Sequence, residues 1–370
     1  MMHPLSSIDA LERKVAELEA VGDRDGVIEC RIHQLASTQL LVDVHDLPIA
    51  AACHQHCLLS EAYSLGGYVA QALEHVHYGQ QIVESQIYDN GPSHRLGSSL
   101  ALAEGFAYVA EGKDYQLALQ CLHKAATLLK QAYGPEDLQL ARAYELLGKV
   151  TTTRKEYSTA LEHLSQAWEI REHCLGWEHE QTLLLWLDMA WVHHLAGDQE
   201  EALSLQQSVV DKVIKVGKYP NLATDAALRL AKWTDTKTAL DRLRDVEHLL
   251  RNHDAHHPRM VEIKRELALL LIKRREHDQA LEYLADVQKL ERGLYGQQSV
   301  QLARTLKAMG TVYMLKGNSY QSEAVDALRA SLAIFEGNPS TSVAVIQDVK
   351  QKLQTLHPAA NTSSTGRTTK

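Results

Sequence analysis

Small residues recur at fixed intervals along the middle of the chain, between longer apolar and polar positions. Gly148 is followed twelve residues later by Ala160, and Ala167 comes seven residues after that. Intervals of three, four and seven residues keep side chains on one face of an α-helix. Because two helices approach closely only where the side chains at their crossing are small, this spacing predicts a pair of tightly packed antiparallel helices.

The same frame recurs along the chain. The central alanines of the second helices fall at Ala118, Ala160 and Ala202, a 42-residue period repeated twice. Other units are less regular and lie near 15–35, 63–72, 227–239, 268–280 and 310–324. Self-similarity of this kind is typical of a helical repeat array, so the chain is predicted to hold about eight helical hairpins.

The ends of the predicted helices are marked by glycine and proline. Gly134, Gly176 and Gly296 fit helix C-caps, where a positive φ ends the helix at little cost. Pro135 and Pro258 follow at points where a new helix begins. The chain is therefore divided into a divergent N-terminal hairpin, a repeat array, an amphipathic capping helix and a disordered polar tail, at 1–49, 50–336, 337–356 and 357–370.

These features resemble the tetratricopeptide repeat. Segments between hairpins, such as QAYGPEDLQLARAYELLG and LYGQQSVQLARTLKAMG, resemble the kinesin light chain type of repeat, whose helices end at glycine before an acidic or His-Pro turn. The resemblance covers roughly 50–336. It implies an all-α fold, a right-handed α-α superhelix known as a tetratricopeptide solenoid. Such solenoids bind other proteins, but the fold does not identify the partner.

The resemblance also implies which side chains face the concave surface. In such repeats these are the residues three before, one after and five after the small residue of the first helix. With two arginines a turn earlier, the candidate partner-groove residues are Arg142, Glu145, Lys149, Trp191, Arg265, Lys273, Arg304 and Lys307. The same positions also hold Thr153, Leu195, Leu269, Thr311 and Leu315.

One hypothesis is a groove for an acidic or carboxylate-bearing peptide. The arginines and lysines would form charge-assisted hydrogen bonds, and Trp191 would supply an apolar anchor. The alternative is a solvated helix face, on which the bases pair with Glu145, Glu262 and Glu266. Both remain open from the sequence.

Two departures from known families limit the specific roles. Kinesin light chains carry Asn just before the small residue, whereas this chain has Arg265–Glu266 and Lys307–Ala308 there. The two-lysine, two-asparagine clamp of chaperone-binding repeats is absent in register. Neither a motor-cargo nor a chaperone role is therefore predicted.

Composition excludes several classes of function. A formal net charge of -9 gives no general attraction to nucleic acid or to an anionic membrane. Five cysteines without framework spacing, and an N-terminus without a signal-peptide core, indicate a reducing cytoplasmic compartment. The longest apolar stretches are far below the roughly 20 residues of a spanning helix, so no membrane insertion is predicted.

The most conspicuous candidate for chemistry is the segment Cys53–Cys57, which holds two Cys and two His. Four ligands within five residues of one helix cannot close a tetrahedron around one ion, so packing thiols and groove-edge histidines are the preferred interpretation. A histidine loop at 253–257 is interpreted as an inter-repeat turn. The sequence contains no phosphate loop or catalytic motif, so no cofactor, metal or enzymatic activity is predicted.

The predicted function is a non-enzymatic interaction scaffold or adaptor that binds a peptide or helix of a partner protein. Repeats of this class occur in motor adaptors and ciliary proteins, and this association favours a cytoskeletal or ciliary setting within the cytoplasm. The alternative is a peptide-responsive regulator that switches binding to a second protein. Its hinge candidate is the shortened unit at 217–240.

Overall fold

The computed structural model describes residues 4–44, 47–86, 93–254 and 257–356. Over these residues the chain forms seventeen α-helices and one short 3-10 turn, with no strand. The predicted disordered tail, 357–370, lies outside the described residues. The helices are α1 (Pro4–Val21), α2 (Arg24–Asp43), α3 (Ile49–Gly66), α4 (Val69–Gln86), α5 (Ser93–Glu111), α6 (Tyr115–Tyr133), α7 (Leu138–Thr153), α8 (Tyr157–Leu175), α9 (Glu180–Ala196), α10 (Gln199–Val216), α11 (Pro220–Trp233), α12 (Thr236–His253), α13 (Met260–Lys273), α14 (His277–Tyr295), α15 (Val300–Lys316), α16 (Gln321–Glu336) and α17 (Val343–Leu356).

Contacts between helices divide the chain into two compact units, Met1–Leu205 and Gln206–Lys370. Within each unit, consecutive helices pack as hairpins and each hairpin packs against the next. In the first unit α1 pairs with α2, α3 with α4, α5 with α6 and α7 with α8, and in the second unit α11 pairs with α12, α13 with α14 and α15 with α16, followed by α17. The predicted all-α class, with about eight hairpins and a C-terminal capping helix, is confirmed.

The small residues lie where the helices of a hairpin cross. A Cβ added to Gly148 would lie 2.7 Å from Cγ of Leu164 and 3.4 Å from the carbonyl oxygen of Ala160. A Cβ at Gly310 would lie 2.6 Å from Cγ of Leu328. The small residues therefore have the predicted cause, because at both crossings a larger residue would require the facing leucine side chain to move.

Three glycines and an aspartate mark the ends of helices. Gly134, Gly176 and Gly296 follow the ends of α6, α8 and α14 with φ of 93°, 83° and 81°. These backbone conformations favour glycine, which has no Cβ to clash. Asp137 caps α7 by accepting hydrogen bonds from two backbone N–H groups of its first turn.

Helix α17 closes the core of the second unit. Its Val349 is fully buried in a cluster with Leu302, Leu306 and Phe335. The opposite face of α17 is polar and exposed at Gln347, Lys350, Gln351 and Gln354. A helix with one apolar and one polar face covers the apolar surface of the hairpin that precedes it.

The sequence also predicts reduced cysteines and no membrane-spanning helix. All five cysteines are free, and Cys30, Cys53 and Cys57 are buried. Within the described ranges, no helix combines the length and apolar character needed to cross a bilayer.

Candidate partner-binding site

An open cavity of about 490 Å³ lies between α13 and α15 in the second unit. Its walls combine apolar side chains with two cations. The lining residues are Leu269 and Ile272 of α13, Arg304, Lys307, Ala308, Thr311 and Val312 of α15, Phe335 of α16 and Val345 of α17. Leu269 is 42% exposed at the wall of this cavity.

The repeat geometry explains why these side chains converge. Helices α13 and α15 are the first helices of successive hairpins, with Ala268 and Gly310 as their small residues. Leu269 follows Ala268 directly, Lys307 lies three residues before Gly310, and Thr311 lies one after it. Three positions selected by the repeat resemblance therefore line one cavity, together with Arg304.

The two cations of the cavity differ in their partners. Arg304 is exposed and makes no ion pair with any residue that the structure describes. Lys307 Nζ lies 2.6 Å from Asp348 Oδ2 on α17. Hydrogen bonds from Lys307 and then Lys352 lower the pKa of Asp348 below its ordinary value of 3.8. The charge of Lys307 is thus already compensated by Asp348, whereas that of Arg304 is not compensated by any described residue.

Arg265 and Lys273, the two other groove cations of this unit, do not line the cavity. Arg265 Nη2 donates to Oε1 of Glu291 on α14, and the Glu291 side chain is 0% exposed. Lys273 is exposed and has no ion-pair partner among the described residues. The alternative hypothesis paired the groove bases with Glu145, Glu262 and Glu266, whereas Arg265 pairs with Glu291, whose buried carboxylate requires a counter-charge.

Arg142, in the first unit, joins two helices that are far apart in sequence. Its Nη1 lies 3.0 Å from Glu61 Oε1 on α3, and its guanidinium group lies 5.3 Å from the ring centroid of Phe106 on α5. Both charged residues line a cavity of about 350 Å³ between α3, α5, α6 and α7. This cavity carries both signs of charge, so it offers no net field for an anion.

Glu145 is held by two cations. Lys149, one turn later on α7, and Arg171 on α8 both donate hydrogen bonds to its carboxylate, the latter at 2.7 Å. Burial raises the pKa of Glu145, but Lys149 and Arg171 together outweigh burial and hold the pKa below 4.5. Lys149 is therefore already paired with a carboxylate of its own helix.

Trp191 lies on an exposed apolar stripe of α9. It is 40% exposed, and its indole stacks on the His194 ring with centroids 5.4 Å apart. Leu184 and Leu195, spaced seven before and four after Trp191, are exposed on the same helix. These intervals place the three apolar side chains on one face. The position of Trp191 suits an apolar anchor, although it does not line either cavity described above.

The cysteines and histidines of 53–57 are dispersed between core and surface. Cys53 and Cys57 are buried in a core cluster, and His54 lines the cavity of the first unit. His56 meets His75 on α4, with 3.0 Å between their Nδ1 atoms. Across the described chain, no three His, Cys, Asp or Glu side chains are grouped to hold a metal ion. In the histidine loop, His256 lies outside the described residues.

Sequence reasoning missed the partners of four charged groove residues, Arg142, Glu145, Arg265 and Lys307. Glu61, Arg171, Glu291 and Asp348 each lie at least 26 residues from the side chain they neutralise. A weak signal exists for two of them, since Arg171 and Glu291 each lie eleven residues after the central alanine of their helix. Cavity residues Phe335 and Val345 come from α16 and α17, which no concave-face rule includes.

Comparisons with known proteins agree with this architecture. Residues 99–173, from α5 to α8, match the tetratricopeptide repeat family. The clustered mitochondria protein homolog of Xenopus tropicalis is 32% identical over 109 residues, which are 30% of this chain and 8% of that protein. The Homo sapiens homolog is 27% identical over 135 residues, 36% of this chain and 9% of that protein. The chain thus spans less than a tenth of the curated relatives it matches.

A solved structure of similar fold is aspartyl phosphate phosphatase F from Bacillus subtilis. It has a TM-score of 0.50 at 11% identity and covers 95% of this chain and 92% of its own. This likeness concerns the fold alone. Together with the 42-residue period and the small residues at the crossings of Gly148 and Gly310, the family match identifies residues 99–173 as tetratricopeptide repeats.

Proposed function

We propose that this chain is a non-enzymatic interaction module, a scaffold or adaptor, that binds a peptide or helix of a partner protein. The observation that carries the proposal is the cavity between α13 and α15, which is lined by exposed Leu269 and by Arg304, a cation with no ion pair to any described residue. Ligand sites are typically apolar clefts with a few placed polar groups, and this cavity has that composition.

The apolar wall would receive a large side chain of the partner. Ile272, Val312 and Phe335 line the cavity together with Leu269. Burying one leucine-sized side chain there would contribute about 1.5 to 3 kcal/mol. A complementary apolar residue in the ligand is therefore the main source of affinity in this proposal.

Arg304 would select for an acidic residue beside that apolar one. Because no described residue neutralises it, its guanidinium is available for a charge-assisted hydrogen bond, which contributes roughly 1.5 to 3 kcal/mol when well formed. Thr311 adds a hydroxyl at the same rim. The proposed ligand is thus a segment with one bulky apolar side chain and an adjacent carboxylate.

The setting is proposed to be cytoplasmic, which the free thiols of all five cysteines support. A cytoskeletal or ciliary association, and a switch controlled by a peptide, both remain predictions of the repeat resemblance.

The test uses short synthetic peptides with a central Leu and one adjacent Glu, labelled for fluorescence anisotropy. Leu269→Ala and Arg304→Gln should each weaken binding about tenfold, a factor that corresponds to about 1.4 kcal/mol. Leu294→Ala is the matched control, because Leu294 is also 42% exposed but lies outside this cavity. Arg292→Gln controls for the loss of an exposed arginine on a neighbouring helix.

Equal losses in the cavity variants and in their controls would contradict the proposal. So would a peptide without Glu that bound as tightly as the acidic one. Circular dichroism of each variant establishes that the helical fold is retained.

A further inference from the structure

Helix α17 places a carboxylate at the edge of the cavity. Val345 lines the cavity wall, and Asp348, one turn later, reaches Lys307 at 2.6 Å. Lys352 also donates a hydrogen bond to Asp348 from the following turn of α17. The chain therefore carries its own acidic group at the position where an acidic ligand would be recognised.

We propose that Asp348 is an internal competitor that determines which acidic ligands the cavity accepts. By occupying Lys307, it leaves Arg304 as the one cavity cation for a ligand. The cavity then favours a segment with a single carboxylate beside its apolar side chain and disfavours one with two. This inference rests on the proposed function of the cavity as a peptide site.

The packing of α17 keeps Asp348 in place. Val349, the next residue, is fully buried, and the Gln321 side chain donates a hydrogen bond to the carbonyl oxygen of Leu356 at the end of α17. Because the helix is anchored directly beside Asp348 and at its C-terminal end, the carboxylate stays near Lys307 at a high effective concentration. A ligand must displace a group that is already in position.

Electrostatics gives the direction of the selectivity. A second ligand carboxylate near Lys307 would meet a lysine whose charge is compensated, and it would also approach the like charge of Asp348. The pair is only partly buried, with side chains 28% and 39% exposed, so solvent moderates the effect. A severalfold preference is expected, and absolute exclusion is not.

The experiment compares two synthetic peptides of equal length with a central Leu, one carrying one Glu and the other carrying two. Asp348→Asn should strengthen binding of the two-Glu peptide about threefold to fivefold. The one-Glu peptide should change by less than about twofold. Asp348→Glu, which keeps the carboxylate, should retain the wild-type preference.

Two controls identify the cause of any gain. Asp326→Asn removes an exposed carboxylate from α16 and should give no gain, because Asp326 has no contact with Lys307. Adding Lys307→Gln to Asp348→Asn should abolish the gain, since Lys307 is the released cation that lines the cavity. Asp348→Ala also removes the carboxylate and favours the helix, so it replaces Asp348→Asn if that variant folds poorly.

The outcomes separate the two proposals. If the one-Glu peptide binds through Leu269 and Arg304 but neither Asp348→Asn nor Asp348→Ala improves the two-Glu peptide, the competitor role of Asp348 is wrong and the peptide site stands. If neither peptide binds the wild-type chain or any variant, the proposed function and this inference both fall. A similar gain in Asp326→Asn would reduce the effect to net charge and overturn the specific role of Asp348.

Discussion

Arg171 Nη2 lies 2.7 Å from Glu145 Oε2, joining the two helices of the α7–α8 hairpin. The α13–α14 hairpin contains the same contact with the charges exchanged, between Arg265 and Glu291. In both hairpins the partners are 26 residues apart. Both hairpins therefore have an ion pair at the same position of the repeat, with the two charges exchanged. The first helix contributes the acid, Glu145, in one hairpin and the base, Arg265, in the other.

The Arg265–Glu291 pair should be important for stability. Arg265→Gln leaves the buried Glu291 carboxylate without its counter-charge, and the expected loss in the free energy of unfolding is about 3 kcal/mol. The double variant Arg265→Gln with Glu291→Gln should lose less, because no buried charge is then unpaired. Chemical denaturation followed by circular dichroism measures both, and Lys273→Gln, at an exposed site, should change stability by less than about 0.5 kcal/mol. Equal losses in the single and double variants would show that charge pairing is not the cause.

The helix crossing at Gly148 should not tolerate a methyl group. Gly148→Ala adds a Cβ 2.7 Å from Leu164 Cγ, and the resulting overpacking should cost about 1 to 3 kcal/mol even though alanine is the better helix former. Gly293→Ala is the matched control, since Gly293 lies in α14 with no other atom near the added Cβ. That variant should be neutral or more stable by up to about 1 kcal/mol. Thermal unfolding of the two variants compares them directly, and equal effects would contradict the close crossing.

Protonation of His56 should make stability depend on pH below neutrality. Burial, followed by the nearby His75, lowers the pKa of His56 from 6.5 to about 4. The unfolded chain therefore binds this proton at a higher pH than the folded chain does. Stability should fall as pH decreases through the window from 6.5 to about 4. His56→Gln should flatten this part of the curve, whereas His33→Gln, at an exposed site on α2, should leave its slope unchanged.

Glu145 should contribute to acid sensitivity at lower pH. Its folded-state pKa is depressed below 4.5 by Lys149 and Arg171, despite burial that acts to raise it. The contribution is present above pH 4.5 and is lost as pH falls through the depressed value. Glu145→Gln should reduce the loss of stability in that range, measured by thermal unfolding at a series of pH values. Glu169→Gln, on the exposed face of α8, is the control, and an identical acid profile in Glu145→Gln and the wild type would refute the role of the pair.

The hairpins and their boundaries could be predicted from sequence because the interactions that form them are local. Gly148 and Ala160 meet across a single hairpin, and the helix period alone brings them to the crossing. Gly134 and Gly176 end their helices through their own backbone conformation. Such features depend on residues within one repeat, so a single sequence contains enough information to locate them.

The site depended on contacts that no local pattern contains. The concave-face rule selected Leu269, Lys307 and Thr311 from their own repeats, but it could not foresee that Asp348 compensates Lys307 or that Glu61 compensates Arg142 from 81 residues away. Those pairings depend on which helices pack side by side and on how far each is shifted along its axis relative to its neighbour. Periodicity therefore determined the direction in which each side chain points, whereas tertiary packing decided which charges remain available, because an ion pair depends on distance in space and not on separation along the chain.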